Sequence, residues 1–405
     1  MIRLAHCADL QLDSRALTAG VLDLDPETGL NRRLLDGARC WEAFVTGAID
    51  AKVDLVIVAG DLFERPRPTP TEYRLFLEGL DRLLLSGSVG PTLLIAGNHD
   101  VPMSLVDDDA LAPLVGRHDR LLISSAPKLF LVQTPRTLLQ IVTLPYPRKA
   151  AISLKQEHED LPPAAIGQRM IDLMERILDG FRAQLDPHLP SVLVPHVTVT
   201  GAAFSEAQPT VPIEVPSLPP EAFRAFTYTA LGHIHTRQTF HDAATGYTAH
   251  YTGSMDRRDF GEEREDKSWD LVTLERSLPE WTVVSIEPRR LPARQFVTLD
   301  PADVRLLDKD EVGLDLLLAA RPILRVKGQV TPAEADEILK ITASWGLPVA
   351  NALDVERETR ARDTGQTGDL APDHALRRYL EQQGHHTDEI DAMMVLHTDL
   401  SHAER

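Results

Sequence analysis

The chain has 405 residues, 42 basic against 61 acidic side chains, and a net charge of −19. At roughly 150 residues per domain this length corresponds to two or three domains with a sizeable buried core, and 43% hydrophobic with 25% charged residues excludes the disordered class. The acidic balance argues against nucleic-acid binding through the whole surface, but not against a pocket that holds cations. No run approaches the roughly 18 apolar residues of a membrane helix, and the opening MIRLAHCADL meets Asp9 too early for a secretory leader. Cys7 and Cys40 build neither a disulfide framework nor a zinc-thiolate cluster, so a reducing, cytoplasmic compartment is expected.

Residues 2–8 (IRLAHCA), 53–59 (VDLVIVA) and 92–96 (TLLIA) are short Ile-, Val- and Leu-rich runs, the pattern of buried strands. Between the first two, Leu34, Ala38, Trp41, Val45 and Ala48 recur at helical spacing. Between the second and third the same holds for Tyr73, Phe76, Leu77, Leu80, Leu83 and Leu84, after Thr69-Pro70-Thr71-Glu72, a capping box with Pro at the first helical position. Alternating strands and helices predict parallel pairing. Asp9 follows the first strand, Gly60-Asp61 the second, and Gly97-Asn98-His99-Asp100 the third. Strand carboxyl ends line one edge of an open α/β sheet, where ligands bind. Any one of these segments would read as an ordinary turn; three in register, carrying metal-ligand side chains, predict a site.

Two further runs end the same way. SVLVP at 191–195 stops at His196, and YTAL at 228–231 leads into Gly232-His233-Ile234-His235. Two His flanking one residue in an extended segment face the same side. Mixed carboxylate, amide and imidazole donors suit pairs of Mn²⁺, Fe²⁺ or Zn²⁺ better than Ca²⁺. Cys7 reads as a small core residue, Asp107-Asp108-Asp109 as a solvated loop, and the proline-rich 208–220 as a stiff surface loop close to His196. Beyond about residue 284 the ligand types stop clustering. Strand-like 296–299 and 323–327, with a capping box at Thr331-Pro332-Ala333-Glu334 opening a helix to about 344, fit a small α+β module. Residues 355–372 have linker composition. Two short helical patterns follow, one with Leu376, Tyr379 and Leu380 ending at Gly384, the other from Thr387 with Ile390, Met393, Met394, His397 and Leu400. Helices this short need a partner surface or each other.

The order Asp9, GDLF, GNHD, a lone His196, then GHIH is similar to the calcineurin-like metallophosphoesterase family. Tyr251-Thr252-Gly253-Ser254 with the DRRDFGEEREDKSW segment after it resembles the SbcD type, the nuclease subunit of bacterial SbcCD-like DNA repair complexes, and HCADLQLDS resembles its YhaO-like relatives. The resemblance implies an α/β four-layer sandwich, two central mixed sheets flanked by helices, with a small α+β capping domain and a helical C-terminal tail. It places the nuclease domain at 1–284, the capping, DNA-substrate domain at 285–348, and a linker and tail at 349–405, the tail docking on an SbcC-like coiled-coil ATPase. It implies a homodimer that is cytoplasmic and nucleoid-associated, with no membrane. The activity implied is exonuclease and single-strand endonuclease on DNA. Carried over by motif, Asp61 bridges two divalent transition-metal ions, most often Mn²⁺, with Fe²⁺ and Zn²⁺ as alternatives. Asp9 and His235 hold the first ion; Asn98, His196 and His233 hold the second. His99 sits over the scissile phosphate. Asp100 either orients His99 or caps the following turn. Ser254, Arg257 and Arg258 are candidate DNA contacts, against the alternative of ion pairs to Asp256, Asp259 and Glu262.

One position departs from the pattern. The family's first motif is Asp-x-His, but this chain has Asp9-Leu10-Gln11. A neutral amide oxygen is a weaker donor than imidazole. Gln11 is expected to ligate weakly, to bond a water in the site, or to leave the first site empty; a weakened, usable site is favoured because every other ligand is present. His6 has the wrong parity on its strand to replace it and reads as structural. Two competing functions remain: a phosphatase or small-substrate phosphodiesterase on the same scaffold, and a DNA-binding or ATPase-regulating subunit with little catalysis.

Overall fold

The computed structural model describes residues 1–405 except 103–107, 148–162, 206–207, 209–216, 243–246, 278–279, 356–373, 375, 378–379, 382–385 and 404–405. Asp107, most of the proline-rich loop, the linker, Tyr379 and Gly384 therefore lie outside the described residues. The strands are, in order, β1 (Ile2–Cys7), β2 (Leu55–Val58), β3 (Thr92–Ile95), β4 (Leu121–Ser124), β5 (Lys128–Gln133), β6 (Leu138–Leu144), β7 (Ser191–Pro195), β8 (Thr198–Val199) and β9 (Ser217–Leu218). After them come β10 (Tyr228–Leu231), β11 (Gln238–Asp242), β12 (Tyr247–Tyr251), β13 (Ser268–Ser277), β14 (Glu280–Arg290), β15 (Phe296–Leu299), β16 (Ile323–Val330) and β17 (Val349–Val355). The α-helices are α1 (Arg32–Ala51), α2 (Pro70–Leu85), α3 (Pro163–Arg182), α4 (Pro301–Leu307), α5 (Glu311–Ala320), α6 (Pro332–Ser344) and α7 (Thr387–Ala403).

The apolar runs read from the sequence become β1, β2, β3, β7 and β10. Two six-stranded mixed sheets result, ordered β14-β13-β1-β2-β3-β4 and β11-β12-β10-β7-β6-β5. Strands β1 to β4 pair in parallel, as do β6, β7, β10 and β12. Parallel strands covered on both faces must be apolar throughout, and β2, β3 and β10 have no exposed position. Between the sheets pack Leu4, Ile57, Ile95, Ile141, Val194 and Ala230. The outer face of the first sheet is covered by Trp41, Phe44, Phe76 and Leu80 of α1 and α2, and that of the second by Met174 and Leu178 of α3. This is the four-layer sandwich. The capping box at Thr69 forms as expected, with Glu72 answering it, a device worth about 1 kcal/mol.

Strands β4 to β6, β8, β9, β11 to β14 and β17 and helices α3 to α5 are additions to what the sequence predicted. Among them β5 and β11 show alternating or partial burial, so they lack the fully apolar signature. A three-stranded sheet, β15-β16-β17, carries α4 to α6 around Val304, Leu324, Ile338 and Trp345; the second capping box, Thr331 with Glu334, starts α6. This module is tied to the first sheet's helical layer by ion pairs of Arg294 with Asp23 and Asp36. The chain divides into two units, Met1–Asp354 and Val355–Arg405. The second contains α7, with Ile390 buried and an Arg377–Asp391 ion pair. Among the described residues no helix is long and apolar enough to cross a membrane.

Candidate metal centre

The carboxyl ends of β1, β2, β3, β7 and β10 open onto one rim, and the side chains just beyond them meet. Asp9, Asp61 and His196 each offer a ligand atom, and these atoms all lie within 4.8 Å of one another, in full burial. His196 Nε2 is 3.3 Å from Asp61 Oδ2 and 3.1 Å from Asn98 Oδ1. His233 Nδ1 lies 2.8 Å from the same Asn98 oxygen, and its backbone N–H donates to Asp9 at 3.1 Å. His235 is near enough for its charge to act on Asp9. The Asp, Asn and His residues expected from distant stretches of sequence thus converge.

The backbone is strained where these side chains turn inward. Asp9 (φ 53°), Gln11 (φ 45°), Asp61 (φ 55°) and His233 (φ 105°) all lie at positive φ, which costs of order 1–3 kcal/mol each and collects at functional sites. Two glycines permit the close approach. A Cβ on Gly60 would come 2.2 Å from His196 Nδ1, and one on Gly97 would come 2.1 Å from Asp61 Oδ1.

The electrostatics follow from burying charge. Burial alone would raise Asp61 and lower His196, yet the two are ion-paired. Asp61 is held well below the usual carboxylate range, and His196 is raised to about 9. His233, buried and beside the His196 charge, falls to about 3 and is neutral. Asp9 is pushed up by burial, against the pull of His196 and His235. Two fully buried carboxylates, three imidazoles and an amide in one small volume fit divalent transition-metal ions by donor chemistry. Asn98 Oδ1 lies between His196 Nε2 and His233 Nδ1, and His196 Nε2 also reaches Asp61 Oδ2. His196 donates Nδ1–H to the Ala59 carbonyl at 2.7 Å, which turns Nε2 toward Asp61.

His99 stands at the rim. Its backbone N–H donates to Asp61 at 2.8 Å and its Nδ1 to the Glu64 carbonyl at 3.0 Å. Burial would lower its pKa, but Asp61 and Glu64 raise it. Asp100 corrects one expectation: it does not orient His99. Its carboxylate accepts the backbone N–H groups of Leu62 (3.0 Å), Phe63 (3.2 Å) and Gly97 (2.9 Å), so it shapes the loop that carries Asp61. Burial and the Asp61 charge push it up to about 7.

Gln11 is buried. Its backbone N–H donates to the Asp61 carbonyl at 2.9 Å, and its side-chain Nε2 approaches Asp61 Oδ2 at 3.4 Å. It therefore meets the shared carboxylate as a donor, and its amide must turn over to offer oxygen to a cation.

The three candidate DNA contacts separate. Arg257 is buried, and its guanidinium donates to the carbonyls of Ala293, Arg294 and Glu265. Ser254 is fully buried, donating to Glu262 at 3.2 Å and accepting from Lys267 at 2.8 Å. Neither presents a group to a phosphate; the charged stretch around them is covered by residues 293–294 and 265–267, which sequence adjacency does not reveal. Arg258 is at the rim, bonded to the Gln11 carbonyl at 3.0 Å and to Glu64 at 2.8 Å.

Three residues of this region were not singled out from the sequence, and a fourth, Glu262, was named only as an ion-pair partner for the nearby arginines. Glu262 and Lys267 lie behind His235, inside the DFGE-containing segment. Glu64, directly after GDLF, links His99 to Arg258. Tyr146, beyond the end of β6, packs its ring 5.8 Å from that of His233 and 6.3 Å from that of His196. Its signal was Leu144-Pro145-Tyr146 closing a strand that the apolar-run pattern did not mark.

A model of the calcineurin-like phosphoesterase family matches residues 2–236. The D subunit of nuclease SbcCD from Bacillus subtilis (strain 168) is 29% identical over 261 residues, 59% of this chain and 61% of that protein. The Staphylococcus epidermidis protein of the same name is 25% identical over 242 residues, 58% and 60% of the two chains. The chain thus spans about three fifths of the length of these relatives. Among solved structures, a dimetal phosphatase from Danio rerio aligns with a TM-score of 0.41 at 12% identity, over 72% of this chain and 99% of that one. A phosphopantetheinyl hydrolase from Mycobacterium tuberculosis aligns with a TM-score of 0.37 at 16% identity, over 72% and 98%.

Proposed function

The chain belongs to the calcineurin-like phosphoesterase family, and from that premise we propose that it is a metal-dependent DNA phosphodiesterase of the SbcD type, cutting as an exonuclease and single-strand endonuclease. The observation that carries this reading is the meeting of Asp9, Asp61 and His196 within 4.8 Å at the ends of three strands, with His99 beside them. When bound, a pair of divalent ions, Mn²⁺ foremost, supplies Lewis acidity and a clamp on the attacking and leaving oxygens of an in-line displacement. Asp9, Asp61, Asn98, His196, His233 and His235 are the residues to hold them. His99, with Nδ1 tied to Glu64 and Nε2 facing out, is placed to hydrogen-bond a phosphate oxygen and to pass a proton to the leaving 3′-oxygen. Asp100 and Glu64 keep the loop and the ring in place.

Residues 285–348 serve in this reading as the capping domain that shapes substrate access, and 349–405 as linker and tail. An SbcC-like coiled-coil ATPase is the partner of the tail, and the working form is a homodimer in the cytoplasm, associated with the nucleoid. The likeness to the nuclease component of SbcCD and the DFGE segment favour DNA over a small substrate. The test compares Mn²⁺-dependent cleavage of a single-stranded oligonucleotide with that of bis-p-nitrophenyl phosphate. Oligonucleotide cleavage with the higher kcat/KM supports the proposal; turnover of the small diester alone moves the chain to a small-substrate phosphodiesterase, and turnover of neither leaves a binding or regulatory role.

A further inference from the structure

Behind the candidate metal centre lies a carboxylate with no solvent exposure and four donors. Glu262 ends a short turn, Phe260–Glu262, capped by Asp259. Its Oε1 accepts from His235 Nδ1 at 2.9 Å. Its Oε2 accepts from Lys267 Nζ at 2.8 Å, from the backbone N–H of Arg258 at 3.0 Å and, shared with the Asp256 carbonyl at 3.0 Å, from Ser254 Oγ at 3.2 Å. The same partners hold the backbone of His235: its carbonyl receives the N–H of Ser254 at 3.1 Å and the ammonium of Lys267 at 3.5 Å. Lys267 is itself buried and satisfied by Ser254 and Glu265 at 2.8 and 2.7 Å.

We infer that Glu262 is the positioning residue for His235, fixing the tautomer that carries the proton on Nδ1 and turning the Nε2 lone pair toward Asp9 and Asp61, with Lys267 and Ser254 holding the carboxylate in place. This rests on the metal-centre reading above. The reasoning is chemical. A ligating imidazole needs its other nitrogen engaged, and a carboxylate partner both sets the ring's orientation and raises its basicity. His196 has a neutral carbonyl in that role, Ala59; His235 has an anion. The Lys267 ammonium at 2.8 Å and the Arg258 backbone N–H at 3.0 Å, both on Oε2, favour a charged carboxylate as the acceptor. The stronger donor falls on the ion whose usual second imidazole is replaced by Gln11, where ligand strength is most needed.

Two measurements test this on the full chain. The first is the nitrogen-15 spectrum of histidine-labelled, metal-free wild type at alkaline pH, with the His235 signal assigned by its loss in His235→Gln. The Nδ1–H tautomer supports the inference; the Nε2–H tautomer overturns it. The second is Mn²⁺ binding by calorimetry. Glu262→Gln keeps an acceptor and removes the charge. Glu262→Leu/Lys267→Leu removes both buried charges, so that no lone ammonium remains to unfold the chain. In either folded variant one of two Mn²⁺ ions is expected to bind roughly 10–100-fold more weakly, with the other unchanged. Wild-type affinity for both ions in a folded variant overturns the role. Wild type that takes up no Mn²⁺ defeats the phosphodiesterase reading instead, while the tautomer, read without metal, still decides the role of Glu262.

Discussion

Two buried clusters of His and Asp lie between or at the ends of the same strands, and they differ in where their lone pairs point. In the inner cluster His250 uses both nitrogens, Nδ1 with Thr239 at 2.7 Å and Nε2 with Asp270 at 2.8 Å. Asp270 uses its other oxygen on Arg237 at 2.8 Å, and His6 bonds Tyr228 at 2.8 Å. At the strand ends, by contrast, His196 and His99 each give Nδ1 to a backbone carbonyl and His235 gives Nδ1 to Glu262, while His196 Nε2 and His233 Nδ1 meet at Asn98. Residue type is the same in both places, but the inner cluster is fully buried and His99 at the rim is about 32% exposed. What distinguishes the strand-end cluster is convergence: His196 Nε2 and His233 Nδ1 both reach the one Asn98 oxygen, at 3.1 and 2.8 Å, whereas His250 spends its two nitrogens on a separate hydroxyl and carboxylate.

The contrast breaks most sharply at its two aspartates. Asp61→Ala is expected to abolish metal uptake and lower cleavage at least about 10³-fold. Asp270→Asn is expected to leave Mn²⁺ affinity alone while costing about 3 kcal/mol of stability, because it strips a buried His250 of its anion. Calorimetric metal titration beside chemical unfolding reads both; loss of metal binding in Asp270→Asn would erase the distinction. Next in size is His99→Ala, expected to lower kcat about 10²–10⁴-fold with two Mn²⁺ ions still bound, since His99 faces the substrate. Gln11→His is expected to tighten one ion about tenfold and to raise turnover at limiting Mn²⁺; unchanged affinity would show that position 11 is not a ligand position.

A last prediction concerns pH. His196 is raised when folded to about 9. Its proton therefore contributes stability fully present below its ordinary value of 6.5 and lost as pH rises through about 9. Asp100, raised to about 7, has the same sign over a lower window, between its ordinary 3.8 and about 7. Metal-free protein should melt at progressively lower temperature as pH rises across these windows. Mn²⁺ affinity should run the other way, gaining up to about tenfold per pH unit below about 9, because His196 must shed its proton to ligate.

Most of the converging residues were legible in the sequence because parallel strands buried on both faces are continuous apolar runs, and these residues directly follow their ends. That logic located Asp9, Asp61, Asn98, His196, His233 and His235 without a structure. It was blind to β5 and β11, the two edges of the second sheet, whose partial burial breaks the run. It also misread Ser254 and Arg257. A Gly-Ser turn followed by two arginines looks exposed, yet three backbone carbonyls take the Arg257 guanidinium and a buried ion pair takes the serine. Asp100, adjacent in sequence to His99, serves the loop of Asp61 instead. Sequence neighbours predict the site where strand direction fixes the side chain, and fail where a loop decides it.

The central claim is that Asp61 is shared by two cations, and anomalous diffraction from a Mn²⁺-soaked crystal measures it most directly. Two peaks flanking the Asp61 carboxylate, one toward Asp9 and His235 and one toward Asn98, His196 and His233, are the expected result. No peak at Asp61, or ions bound only at surface carboxylates, would contradict it.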